Sequence, residues 1–143
     1  MTPGLLGRIE TRWFLLAVVG SAVTVALVPF LSGGTVGERY RATFMVLLIV
    51  AVVGVAWELI YHGIQQFRWE KDWPTGFGLL VGVPEGIVAW FIASNAGLPG
   101  TAGIGLSTFI VHFSLVWVAV WLVASGPMRL ASVHWRYDGG RLL

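Results

Sequence analysis

Cysteine is absent from this chain, and charged residues are scarce. Without cysteine the chain forms no disulfide and offers no thiolate metal ligand or cysteine nucleophile. Only 11% of its 143 residues are charged and 57% are hydrophobic, whereas a soluble domain carries roughly 25% charged residues. This composition predicts that most of the protein surface faces a lipid bilayer rather than water.

Recognisable catalytic motifs are also missing from the sequence. It contains no glycine-rich phosphate loop, no Gly-x-Ser-x-Gly elbow and no His-Glu-x-x-His pair. Aspartate occurs only at Asp72 and Asp138, outside the apolar runs, which argues against a serine hydrolase. The sequence therefore favours a non-enzymatic protein and predicts no cofactor, with an intramembrane enzyme that uses Glu85 or Glu58 as acid or base left as an alternative.

Four apolar runs are long enough to cross a bilayer as helices, which takes about 20 residues each. They cover about 13–31, 44–61, 76–93 and 102–124. A loop at 65–74 joins the second run to the third, and a tail at 126–143 follows the fourth. The sequence thus predicts an all-α fold: a single integral membrane domain built as a bundle of four transmembrane helices.

The distribution of lysine and arginine predicts the orientation of the chain. Seven of the nine basic residues lie in the two tails and the 65–74 loop, and only Arg39 and Arg41 lie in the other connections. Because short loops rich in Lys and Arg stay on the inner side, both termini are predicted to be cytoplasmic, in the inner (plasma) membrane of a bacterium-like cell. The same signal explains the net charge of +2 without a nucleic-acid partner.

The 65–74 loop and the tail are the candidate surfaces for protein partners. The loop combines charges of both signs with two indoles, and this mixture is common at interfaces. Indoles also suit the lipid headgroup layer, so membrane anchoring is the simpler interpretation. The residues predicted to dock a partner or the interface are Arg68, Trp69, Glu70, Lys71, Asp72, Trp73 and Arg136.

Four ionisable residues lie within or at the edge of the apolar runs: Glu58, His62, Glu85 and His112. Such residues are costly in hydrocarbon, so they usually face the interior of a bundle. Each lies on the stripe of small residues of its helix, and Ala17, Gly20 and Thr24 form such a stripe on the first helix, which predicts that the four stripes converge. The helical rise predicts the order His112, Glu85, Glu58, His62 from the outer to the inner surface, with Glu58 roughly two turns beyond Glu85.

Three interpretations of these four residues stay open. In the first, the glutamates are protonated or pair with the histidines and hold the helices together. In the second, the residues form a path for protons or ions. In the third, they bind a metal or haem, for which Glu58 and His62 have suitable i, i+4 spacing. Only one helix carries such a pair, so no metal is predicted.

Glycine at every fourth position forms the most specific packing pattern of the chain. Gly78, Gly82 and Gly86 would form a glycine zipper against a neighbouring helix or against a second copy of the protein. Pro84 lies within this pattern and removes the usual donor to the carbonyl of Leu80, which predicts a kink beside Glu85.

These features predict a non-enzymatic subunit that anchors or docks partners of a larger membrane assembly. Its predicted partners are the lipid bilayer and other membrane or cytoplasmic proteins. The alternative is a small oligomeric protein that conducts protons or ions through Glu85, Glu58, His112 and His62. A third interpretation is an intramembrane enzyme or a metal-binding electron carrier.

Overall fold

The fold is known from a computed structural model that describes residues 4–67, 74–137 and 141–142, without the side chain of Arg136. These residues are mostly helical and contain no β-strand. The α-helices are α1 (Leu5–Leu15), α2 (Ser21–Leu27), α3 (Val36–Gln66), α4 (Phe77–Leu80), α5 (Gly82–Asn95), α6 (Leu106–Ser125), α7 (Pro127–Ala131) and α8 (Val133–Tyr137). A π-helical turn, Leu16–Gly20, joins α1 to α2, and a 3₁₀ turn, Val28–Phe30, follows α2.

Four helical segments are long and apolar enough to cross a membrane. They are span 1 (Leu5–Phe30), span 2 (Val36–Gln66), span 3 (Phe77–Asn95) and span 4 (Leu106–Ala131). Their outward faces carry large exposed apolar side chains, as a surface in contact with lipid requires. The predicted all-α fold with four transmembrane helices is confirmed.

The spans pack in chain order around the bundle. Span 1 and span 3 each contact spans 2 and 4, so spans 1 and 3 face each other diagonally. Arg8 near the start of span 1 bonds Gln65 near the end of span 2 at 2.9 Å, so these two spans are antiparallel. We call this end, where spans 1 and 3 begin and spans 2 and 4 end, the termini end.

Spans 1 and 2 begin earlier than the apolar pattern predicts. Span 1 begins at Leu5 rather than at residue 13, because its polar residues belong to the helix and bond to the rest of the bundle. Span 2 begins at Val36 rather than at residue 44. Thr35 caps this helix: its Oγ1 accepts from the Glu38 N–H at 3.3 Å, and its own N–H donates to Glu38 Oε2 at 2.7 Å. This capping box offsets the cost of beginning the helix in a polar segment.

Span 3 is interrupted at Val81, where α4 ends and α5 follows. The N–H of Glu85 donates to the carbonyl of Val81 at a long 3.4 Å. Pro84 has no N–H for the carbonyl of Leu80, so the ladder of helical bonds is weakened in the turn that carries Glu85.

The glycine stripe of span 3 faces an aromatic ladder on span 4. The contacting pairs are Gly78 with Trp121, Gly82 with Trp117, and Gly86 with Phe113. A Cβ on Gly86 would lie 2.7 Å from Phe113 Cε1. The rings of span 4 therefore fit against span 3 only because glycine has no side chain. Span 4 of the same chain therefore occupies this face, and a zipper against a second copy, which would have to displace the rings, stays a prediction.

Candidate functional site

Arg12 of span 1 joins spans 2 and 3 in the interior of the bundle. Its Nη2 and Nε lie 2.8 and 3.0 Å from Glu58 Oε1, and its Nη1 donates to Glu85 Oε1. Glu85 is 0% exposed, and Glu58 is also buried. The guanidinium thus ties the two diagonal spans to each other and to span 2.

Arg8, one helical turn before Arg12, completes this group. Its Nε lies 2.9 Å from Glu58 Oε2, and its Nη1 donates to Gln65 Oε1 at 2.9 Å. We call Arg8, Arg12, Glu58 and Glu85 the ion cluster. Its two guanidinium groups balance its two carboxylates, which is how charged side chains are normally accommodated within a membrane bundle.

Helix geometry explains why the two carboxylates meet at one depth. Glu58 and Glu85 lie eight residues from the end of span 2 and the start of span 3, roughly 12 Å inside the same end of the bundle. At this shared depth both carboxylates are within reach of the guanidinium of Arg12.

The guanidinium of Arg12 fits against span 2 because Gly54 has no side chain there. A Cβ on Gly54 would lie 2.6 Å from Arg12 Nη1 and 2.7 Å from its Cδ. On the other side, the guanidinium carbon lies 5.8 Å from the ring centroid of Trp117, close enough for a cation–π interaction. Arg12 is thus held between two carboxylates, a glycine and an indole.

The predicted depth order is wrong for the two glutamates. Glu58 and Glu85 share one guanidinium instead of lying two turns apart, and their partners are arginines rather than histidines. The apolar runs place Arg12 outside the bilayer, whereas in the structure it lies within span 1. One feature of the sequence pointed to this pairing: Arg8 and Arg12 lie four residues apart beside the first apolar run, and two arginines would neutralise the two buried glutamates.

His112 on span 4 is 0% exposed and pairs with span 1. Its Nε2 lies 2.8 Å from Thr24 Oγ1, and that hydroxyl donates to the carbonyl of Gly20 at 2.7 Å. Because the only hydroxyl hydrogen of Thr24 is used in this way, His112 Nε2–H is the donor of the pair. In the neutral ring Nδ1 is then an acceptor, and it has no hydrogen-bond partner among the described residues.

His62 does not join the other three predicted residues. It is half-buried near the end of span 2, and its Nε2 lies 3.4 Å from the amide nitrogen of Gln66 on the same helix. Within the described residues, no three His, Asp or Glu side chains are grouped so as to hold a metal ion. The pairing of Glu58 with His62 that the third interpretation needed is replaced by the pairing of Glu58 with Arg8 and Arg12.

A cavity of about 280 Å³, partly open to the outside of the bundle, lies beside the ion cluster. Arg8, Arg12 and Glu58 border it, and so do Tyr61 and His112. The rest of its wall is apolar or aromatic except for Thr11, and comprises Leu16, Val46, Leu47, Val50, Phe77, Gly78, Val81, Phe113, Val116, Trp117, Val120, Trp121 and Trp135. The cavity is therefore a partly open, mostly apolar site with a few polar groups.

The tail folds back over the start of span 1. Trp135 Nε1 donates to Thr11 Oγ1 at 2.7 Å, and the N–H of Leu142 donates to Glu10 Oε2 at 3.1 Å. Because Trp135 also borders the cavity, part of the predicted docking tail is a wall of the interior. Of the predicted docking residues, Arg68, Trp69, Glu70, Lys71, Asp72 and Trp73 and the side chain of Arg136 lie outside the described part of the chain.

The candidate site is thus a charge-balanced ion cluster beside an apolar cavity in a four-helix membrane bundle. Three of the four ionisable residues predicted from the sequence lie at this site, and Arg8, Arg12 and Tyr61 join them there. Comparison with protein-family models, with curated proteins and with solved structures finds no match to this chain.

Proposed function

We propose that this protein is a non-enzymatic membrane protein that binds a lipid-soluble molecule in the cavity beside the ion cluster. The observation that supports this proposal is the cavity itself, about 280 Å³ in volume. A bound molecule would make dispersion contacts with this wall. An apolar, aromatic wall with a few polar groups is the usual form of a small-molecule site.

The ion cluster argues against the conduction alternative. Arginine keeps its proton at any physiological pH, so Arg12 does not relay protons between Glu58 and Glu85. Its fixed positive charge also repels cations at that level of the bundle. We therefore interpret the cluster as a structural bridge that provides the cavity with a polar border.

The test is to ask what the purified protein retains from its own host membrane. Solvent extraction and mass spectrometry of the protein in mild detergent should find one small molecule at about one copy per chain. Val50, 3% exposed, borders the cavity, whereas Val52, 58% exposed, lies on the outer face of the same helix. Val50→Phe fills the cavity and should lower its affinity for the molecule at least tenfold, the equivalent of about 1.4 kcal/mol, so that clearly less than one copy per chain is retained. Val52→Phe should leave it unchanged.

Two results would contradict the proposal. One is a wild-type protein that retains only the bulk lipids of the membrane, in variable amounts. The other is a Val50→Phe variant that is folded and retains the molecule as well as the wild type does. If Val50→Phe does not give a monodisperse protein, Val81→Phe fills the cavity from span 3 and replaces it.

We also propose that the termini end docks another membrane or cytoplasmic protein. Two apolar side chains support this second function: Phe67, 93% exposed after span 2, and Leu130, 82% exposed on α7. Exposed apolar side chains, together with the charges in the sequence of the 65–74 loop, are the mixture found at protein interfaces.

Reversing two loop charges tests the docking function. Arg68→Glu with Lys71→Glu should release any protein that copurifies with the wild type in fixed stoichiometry, while membrane insertion is kept. Arg41→Glu, at the opposite end of the bundle, is the matched control. Because the natural chain has no cysteine, one introduced cysteine reports through its labelling whether the topology is unchanged. A partner that stays bound to the double variant at wild-type stoichiometry would refute docking through this loop.

A further inference from the structure

We propose that the molecule held in the cavity is an uncharged lipid-soluble alcohol or phenol, whose hydroxyl group donates a hydrogen bond to Nδ1 of His112. This inference rests on the proposed function of the cavity. It is supported by the charge balance of the ion cluster, by the unused nitrogen of His112 and by the chemistry of the wall.

Charge balance excludes an ionic ligand. Both arginines that border the cavity already bond to carboxylates of the chain, Arg12 to Glu58 and Glu85, and Arg8 to Glu58. A phosphate or carboxylate head group would add a negative charge to a cluster that is already neutral, inside a medium of low dielectric constant. A cationic head group would meet Arg8 and Arg12. An uncharged molecule avoids both costs.

The unpaired Nδ1 of His112 requires a hydrogen-bond donor on the bound molecule. Its Nε2 is committed to Thr24, while Nδ1 is buried and has no partner among the described residues. A buried acceptor without a donor is costly, so native structures seldom leave one unpaired. The ring borders the cavity, so a donor group on a molecule bound there can satisfy Nδ1. A hydrocarbon, an ether or a ketone has no such group.

Charge narrows the class of the donor group. An amine would be protonated and positively charged near neutral pH, and Arg8 and Arg12 already place two positive charges on the cavity wall. An O–H group donates a hydrogen bond without carrying a charge. Alcohols and phenols supply this donor on a lipid-soluble molecule.

The body of the molecule must be apolar and fit among rings. Phe113 and Trp117 stack at 5.6 Å between centroids, and both border the cavity together with Trp121 and Trp135. Flat or chain-like hydrocarbon packs well against such surfaces. The class that fits is therefore a long-chain alcohol or an alkylated phenol rather than a sugar or another polyol.

A matched pair of probes tests this inference: 4-octylphenol, and 4-octylanisole, in which a methyl ether replaces the hydroxyl. Their affinities for the purified protein in detergent are measured from the tryptophan fluorescence of the cavity wall. The wild type should bind the phenol about tenfold more tightly, the effect of about one satisfied buried hydrogen bond. His112→Phe, which keeps a ring but removes both nitrogens, should bind both probes equally. His62→Phe is the matched control and should keep the preference.

Nitrogen NMR of the wild type gives a second measurement, which does not depend on the folding of any variant. With ¹⁵N-labelled histidine, the phenol should shift the Nδ1 resonance of His112 and leave that of His62 unchanged, and the ether should shift neither. Equal affinity for the two probes, or an unmoved Nδ1 resonance, overturns this inference. If Val50→Phe still blocks both probes in that case, the cavity remains a binding site and only the hydroxyl assignment fails. Binding of both probes that Val50→Phe does not affect overturns the proposed function as well.

Discussion

Arg12→Met is expected to lower the free energy of unfolding by about 3–5 kcal/mol, the cost of removing one partner from a buried ion pair. The reason is that Glu58 and Glu85, both buried, would lose the guanidinium they share. Glu58 would keep its pair with Arg8, but Glu85 would have to take up a proton or draw in water. Reversible unfolding by SDS in mixed micelles measures the change, and thermal unfolding in mild detergent checks its direction.

Charge balance provides the control for this prediction. The double variant Arg12→Met with Glu85→Met removes one positive and one negative side chain, and the pair of Arg8 with Glu58 remains. The double variant should recover most of the lost stability, because its interior is again neutral and its new side chains are apolar. An Arg12→Met protein no less stable than Arg41→Met, in which an exposed arginine at the other end of the bundle is replaced, would refute the bridging role.

Gly82→Leu is expected to cost about 3 kcal/mol, the upper part of the usual range for an overpacked core. A Cβ at position 82 would already lie 2.6 Å from Trp117 Cε2. The indole has little room to move, because its Nε1 donates to the carbonyl of Gly78 at 3.1 Å and its ring stacks on Phe113. The same unfolding experiment measures the loss.

Two further variants distinguish the close contact from the general effect of leucine. Gly63→Leu on span 2 places the same side chain where no atom lies within 4 Å, and its stability should stay within about 0.5 kcal/mol of the wild type. Gly82→Leu with Trp117→Ala should recover part of the loss, because the leucine then occupies space that the indole has left. If Gly82→Leu and Gly63→Leu are equally stable, the glycine stripe does not hold the aromatic ladder.

The four spans were predictable because a run of about 20 apolar residues is typical of a helix that crosses a membrane. The early start of span 2 could also have been predicted, because Thr35 and Glu38 have the spacing of a capping box. The start of span 1 was not predicted, because Arg8, Glu10 and Arg12 resemble a polar tail until their partners are known. Burial of an arginine depends on residues from two other spans, and the local pattern around Arg12 contains no information about them.

The candidate site was predictable in part for the same reason. The stripes of small residues correctly predicted that Glu58, Glu85 and His112 face the interior. The cavity was not predictable, because its volume depends on side-chain sizes summed over all four spans and on Trp135, which reaches Thr11 from the other end of the sequence. The π-helical turn that ends at Gly20, the residue whose carbonyl accepts from Thr24, likewise has no signal in an apolar run.

The ion cluster also has a consequence for the order in which the chain is made. Arg8 and Arg12 leave the ribosome first, Glu58 follows with span 2, and Glu85 arrives only with span 3. A nascent chain with two inserted helices therefore carries one guanidinium more than it has carboxylates to pair with it. Entry of the third helix restores neutrality and closes the bridge to the first. A product truncated before the third helix would expose an unpaired arginine to hydrocarbon, which is costly.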